Sequence, residues 1–224
     1  MTDAETVTRM LVAARPWFEE WRSPVDFESR RREIRRAVDA SFQFNRGEAK
    51  WLLEAWLISK FGRLKNLPKV KLNRSDPPDA FVQIGDSSTP IEITEILEPG
   101  RLRGLEYRPG APEVEEDPVE DWVRRADQIP SALLSGIRKK TAKAYPPNTQ
   151  LLVYLNIGEW GIRQRETEAA IKSILSNPTA PFSKIYILWN VKLFDSCGVE
   201  IRDPAVAEED VADDDVEIFR SVWT

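Results

Sequence analysis

Histidine is absent from all 224 residues. Its absence excludes Ser-His-Asp and Cys-His triads, the usual zinc sites and imidazole acid–base chemistry. Any hydrolytic chemistry must therefore run on carboxylates, lysines and hydroxyls, with or without a divalent cation. Cysteine is nearly absent too. Cys197 stands alone, which rules out an intramolecular disulfide, fits a reducing cytosol and reads as a packing residue rather than a nucleophile. Long apolar runs are missing: residues 151–155 form one of the longest, far too short to span a bilayer, so no membrane association is expected. The opening Met1–Glu5 segment has neither the basic nor the apolar region of a signal peptide, and a cytoplasmic location is expected. No internal repeat is visible.

Acidic residues outnumber basic ones, 37 to 32, for a formal net charge of −5. Taken alone this argues against a nucleic-acid partner. The charge is unevenly placed, however. Arg22, Arg30, Arg31, Arg32, Arg35 and Arg36 crowd one stretch, while Asp203, Glu208, Glu209, Asp210, Asp213, Asp214, Asp215 and Glu217 load the last 22 residues. A basic face and an acidic tail can coexist, so net charge decides little. The arginines either grip phosphates or form a solvated helix face partnered by Glu28 and Glu33.

The length suits one domain with an appended segment. Residues 1–45 read as an N-terminal helical extension, with helices over 4–21 and 27–42 separated by Pro24. A core of residues 46–194 follows, and 195–224 read as an acidic tail. Within the core, Asn45-Arg46-Gly47-Glu48 starts a helix that Gly62 closes. A short strand is expected at 70–73, and an apolar strand at 150–157. A helix over 130–145 begins at Pro130 and stops before Pro146. A further helix at 163–176 and a strand at 184–193 predict a parallel strand–helix–strand addition. The segment between Leu97 and Asp127 reads as a long loop.

The chain is organised around residues 76–97. Two strands, 79–84 and 91–97, are joined by a turn at Gly85-Asp86-Ser87-Ser88. Alternation puts Glu92 and Thr94 on one face and Ile91 and Ile93 on the other. Asp79 opens the first strand, so its carboxylate can approach Glu92 across the hairpin. Two carboxylates converging from neighbouring strands make a hard-oxygen site suited to Mg²⁺ or Mn²⁺. Glu95 points away from Glu92 and is left out of the site. Arg101, Arg103 and Arg108 follow the carboxylate strand, where they could meet nucleic-acid phosphates or pair with nearby glutamates.

This arrangement resembles the PD-(D/E)xK nuclease superfamily, with Pro78-Asp79 as the first half of the signature and Glu92-Ile93-Thr94 as the second. The stretches Glu54-Ala55-Trp56, Gly100-Arg101-Leu102 and Lys139-Lys140 also resemble small bacterial endonuclease-like proteins within it. The likeness covers residues 46–157. It implies an α/β fold with a restriction-endonuclease-like α-β-β-β-α-β core, a mixed sheet flanked by helices, and a metal-dependent phosphodiesterase site. It also implies a further carboxylate from the first core helix, Glu54 with Glu48 in reserve. The third signature position departs from the pattern, since Thr94 stands where the family usually has lysine. Lys140 on the next helix could supply that cation, with Lys139 and Lys143 as alternatives.

The expected site is thus Asp79, Glu92 and Lys140 in catalysis, Asp79, Glu92 and Glu54 on the metal, and Arg101, Arg103 and Arg108 on nucleic acid. Three functions compete: a Mg²⁺-dependent endonuclease acting on DNA, with RNA not excluded; a catalytically inactive relative that binds nucleic acid or protein; and an accessory protein whose acidic tail docks on a basic partner. A homodimer is compatible with each.

Overall fold

The computed structural model describes residues 4–38, 47–101, 118–159, 161–176, 181–190, 192–195 and 200–202. The fold is α/β, with five α-helices among the described residues and a mixed sheet. The helices are α1 (Ala4–Phe18), α2 (Pro24–Arg35), α3 (Lys50–Leu64), α4 (Val119–Thr141) and α5 (Gln164–Leu175). The strands are β1 (Val70–Leu72), β2 (Ala80–Ile84), β3 (Ser87–Leu97), β4 (Gln150–Asn156), β5 (Lys184–Trp189), β6 (Lys192–Phe194) and β7 (Glu200–Arg202). They are hydrogen-bonded in the order β1-β2-β3-β4-β5-β6-β7. From α3 to β4 the chain runs helix, three strands, helix, strand, the expected order. The chain divides into two compact units, with the boundary inside β3 between Glu92 and Ile93.

In the first unit, α1 buries Val7, Leu11 and Phe18. Phe18 meets Phe27 of α2 edge-on at 4.8 Å and Trp51 of α3 at 4.9 Å. The two N-terminal helices therefore share a core with α3. Helix α2 is capped by Ser23, whose Oγ accepts the Asp26 amide proton at 3.1 Å, with Pro24 at the first helical position where its missing N–H costs nothing. It ends at Arg35 rather than at residue 42; residues 39–46 lie outside the described residues. Gly62 does not close α3 but sits inside it. A Cβ there would lie 2.7 Å from Pro24 Cγ and 2.9 Å from Val70 Cγ1, so glycine lets α3 lie close to both.

Strands β1, β2 and β3 form an antiparallel meander. Ile84 pairs with Ser87, so the hairpin loop is the two residues Gly85 and Asp86, and Ser87 and Ser88 belong to the strand rather than to the turn. Gly85 has φ +57°, the positive value that a tight hairpin requires at its first central position.

The second unit centres on a cluster of Ile96, Ile129, Leu133, Ile137, Leu151, Val153 and neighbouring side chains from α5 and β5. Strand β4 is buried on both faces and runs parallel to β5, as the strand–helix–strand pattern requires. Helix α4 starts at Val119, eleven residues before Pro130. Glu120 and Asp121 in its first turn complement the positive end of the helix dipole, and Pro130 is carried inside. The expected 184–193 strand is instead a hairpin, β5 and β6. It turns at Asn190, whose φ of +53° is one that asparagine tolerates. Strand β7 pairs with β6, which extends regular structure to Arg202.

Among the described residues, no helix is long and apolar enough to cross a membrane.

Candidate metal centre

The first unit gathers three carboxylates. Asp76, Asp79 and Glu92 each offer one oxygen, and these oxygens all lie within 4.8 Å of one another. Glu92 is 1% exposed and Asp79 9%, while Asp76 faces solvent. Register explains the first pair: Ala80 pairs with Ile91, and one step further along the ladder sets Asp79 opposite Glu92. Asp76 arrives from the 73–79 loop, which Asn73 ties down. Its amide donates to the Asp79 carbonyl at 2.8 Å, and its side-chain Nδ2 donates to the carbonyls of Pro78, at 2.9 Å, and Ser75.

Withdrawing carboxylates from water and crowding them is unfavourable unless positive charge compensates. One compensating cation is Lys50, at the start of α3. Its Nζ lies 3.1 Å from Glu54 Oε1. Partial burial would depress the Lys50 pKa, but the carboxylates of Glu54, Asp79 and Asp76 outweigh it and hold the ammonium above its usual range. The chemistry of the set fits a hard divalent ion, which holds its ligand oxygens about 3–5 Å from one another. Asp76, Asp79 and Glu92 could hold such an ion.

Sequence reasoning found Asp79 and Glu92 and passed over Asp76 and Lys50. Both carried a signal: Asp76-Pro77-Pro78-Asp79 puts an acid on each side of a stiff dipeptide, and Lys50 lies four residues before Glu54. Glu54, the expected third metal ligand, is engaged with Lys50 and stands outside the group of three. Glu48 is exposed in the short 3₁₀ turn Gly47–Ala49.

In the arginine-rich stretch Arg30 and Arg36 are exposed, as the solvated-face reading expects, but Arg31 departs from it. Arg31 is 1% exposed and holds Glu28 through two hydrogen bonds, while Arg32 Nε adds a third at 3.0 Å. Ser59 Oγ of α3 donates to the same carboxylate at 3.1 Å. Burial alone would raise the Glu28 pKa, but Arg31 and Arg32 outweigh it and hold it below the ordinary carboxylate value. Arg30 pairs with Glu33 at 2.6 Å. These contacts are the glutamate partnerships of the second reading of this cluster.

Lys140 and Arg101 belong to the second unit. Arg101 follows β3, its amide bonded to the Glu98 carbonyl at 3.0 Å. Lys140 lies near the C-terminal end of α4 beside Lys139 and Lys143, on a groove shared with β3. Glu95 lines that groove and accepts from Asn156 Nδ2 at 2.8 Å. Arg103, Arg108 and the acidic tail from residue 203 lie outside the described residues.

Compared with protein-family models, curated proteins and solved structures, the chain matches none.

Proposed function

We propose that the chain is a metal-dependent endonuclease of the PD-(D/E)xK type that hydrolyses phosphodiester bonds in DNA at the Asp76–Asp79–Glu92 cluster. The observation that carries the reading is the meeting of these three carboxylates within 4.8 Å, two of them buried. The helix, three strands, helix, strand order around them supports it. Asp79 and Glu92, with Asp76, would hold Mg²⁺ or Mn²⁺. When bound, the ion supplies Lewis-acid polarisation of a phosphate and a bound water of lowered pKa. Lys50 contributes a fixed positive charge beside the carboxylates, where charge develops on the reacting phosphate. Lys140 is the alternative carrier of that role, and Arg101, Arg103 and Arg108 would contact phosphates outside the reacting group.

The test is plasmid cleavage in Mg²⁺ or Mn²⁺ by the native protein, Asp79→Ala, Glu92→Ala, Lys50→Ala and Lys140→Ala. Nicking by the native protein but by neither Asp79→Ala nor Glu92→Ala supports the proposal, and the lysine variant that also loses nicking identifies which of the two carries the charge. Equal and intact DNA in every lane would sink it. One observation favours a second reading, a catalytically inactive nucleic-acid-binding or protein-binding module: Thr94 is neutral at the position where the resembling family carries its lysine.

A further inference from the structure

The second unit carries a groove of about 560 Å³ between the C-terminal half of β3 and helix α4. Ile96, Leu97 and Pro99 contribute apolar lining. Thr94, Ser131 and Ser135 bring hydroxyls to its sides. Lys139, Lys140 and Lys143 line it and Glu95 is the single carboxylate among its lining residues, which leaves an excess of two positive charges. Arg138 lines the adjoining hollow with Lys139.

The groove is built rather than incidental. Gly136 lies where α4 crosses β3, and a Cβ there would sit 2.0 Å from Ile96 Cδ1. The absent side chain lets Ile96 pack directly on the helix, beside Ala132 and Ser135, which also line the groove. Lysines in the last turn of a helix also complement its negative end, which accounts for Lys139 and Lys140. It does not account for Lys143, which lies beyond the helix and still faces the groove.

We infer that this groove binds the phosphate backbone of nucleic acid, with Lys139 and Lys143 as its principal contacts. A chain of net charge −5 repels a polyanion at long range, so binding requires a local concentration of cations on a concave surface. The groove supplies that concentration, and its hydroxyls add neutral donors of the kind that hold phosphate oxygens. The inference rests on the proposed choice of nucleic acid as substrate, but not on any cleavage.

The experiment measures binding of a fluorescent DNA duplex by the full chain in EDTA, across a salt series. It compares the native protein with Lys139→Glu/Lys143→Glu, Lys139→Gln/Lys143→Gln and, as control, Lys184→Glu, an exposed lysine outside the groove. Circular dichroism and melting confirm that each variant folds. The groove variants are expected to bind roughly tenfold or more weakly and to lower the salt slope by about 2, one unit per lost phosphate contact. The control should match the native protein. Unchanged affinity and slope in both groove variants, or no binding by the native protein, would overturn the inference. Displacement of the duplex by sodium triphosphate at equal phosphate concentration would also overturn it, by assigning the groove to a small phosphate ligand. Loss of binding in the groove variants, in a protein that never cuts DNA, would uphold the groove and sink the nuclease.

Discussion

Arg31 grips Glu28 through two hydrogen bonds, 2.8 Å from its Nε and 2.7 Å from its Nη2, with both residues almost wholly removed from water. The pair joins α2 to α3 through Ser59. Cutting one partner strands the other charge in the core. Arg31→Ala is therefore expected to lose about 3–5 kcal/mol of stability, read by urea denaturation. The same pair sets an acid limit. Because the folded Glu28 pKa lies below the ordinary 4.5, its contribution is complete above that value and is lost as pH falls through the folded pKa. Glu28→Gln should flatten this part of the stability–pH curve; an unaltered acid limb would contradict the assignment.

The three-carboxylate cluster makes a thermal prediction that needs no substrate. Adding Mn²⁺ should raise the melting temperature of the native protein, by the equivalent of about 2.7 kcal/mol at a hundredfold excess over the dissociation constant. Glu92→Gln and Asp79→Asn should abolish the rise. If both variants keep the full Mn²⁺ response, the ion sits elsewhere.

Asn73 positions acids without being one. Its side chain donates to the carbonyls of Ser75 and Pro78, and so holds the loop that presents Asp76 and Asp79. Asn73→Ala is expected to cost about 0.5–1.5 kcal/mol, because two carbonyls exchange its side-chain donor for water. It should also weaken Mn²⁺ binding more than an exposed substitution such as Arg74→Ala does. Isothermal titration of both variants would decide the matter. Equal affinities would reduce Asn73 to a purely local role.

Gly136 and Ile96 should be energetically coupled. Alanine at 136 gains up to about 1 kcal/mol of helix propensity, but its Cβ collides with Ile96 Cδ1, and overpacking costs about 1–3 kcal/mol. A net loss is expected. Ile96→Val removes the offending methyl, so the double variant should be more stable than the sum of the singles predicts. Additivity within about 0.5 kcal/mol would show that Ile96 moves aside freely.

Much of the centre was legible in the sequence because a hairpin is a local object. Alternation, Gly85-Asp86 and an acid on each strand suffice to pair Asp79 with Glu92. The misreadings of Arg31, Gly62 and Lys50 share a physical cause, in that a decisive neighbour lay far along the chain, whereas that of Pro130 was local. Arg31 looked like surface because charge on a helix normally faces water, and only Glu28 packed against Ser59 makes its burial tolerable. Gly62 looked like a stop because nothing near it announces Pro24 and Val70 at its flank. Pro130 looked like a start, although the acids at 120 and 121 had already opened the helix. Lys50 needed the folded positions of Asp76 and Asp79 before its charge acquired a meaning.

The two-residue turn at Gly85 and Asp86 offers a vantage point for spectroscopy. Nothing lies within 4 Å of a Cβ built at Gly85, and Asp86 is exposed. With Cys197 the only thiol, a Cys197→Ser/Asp86→Cys chain would carry one nitroxide at the hairpin tip. Glu92 lies six steps along the strand from Asp86, about 20 Å. Dipolar coupling between the nitroxide and a bound Mn²⁺ would thus turn the hairpin into a ruler, reporting where the ion rests as well as that it binds.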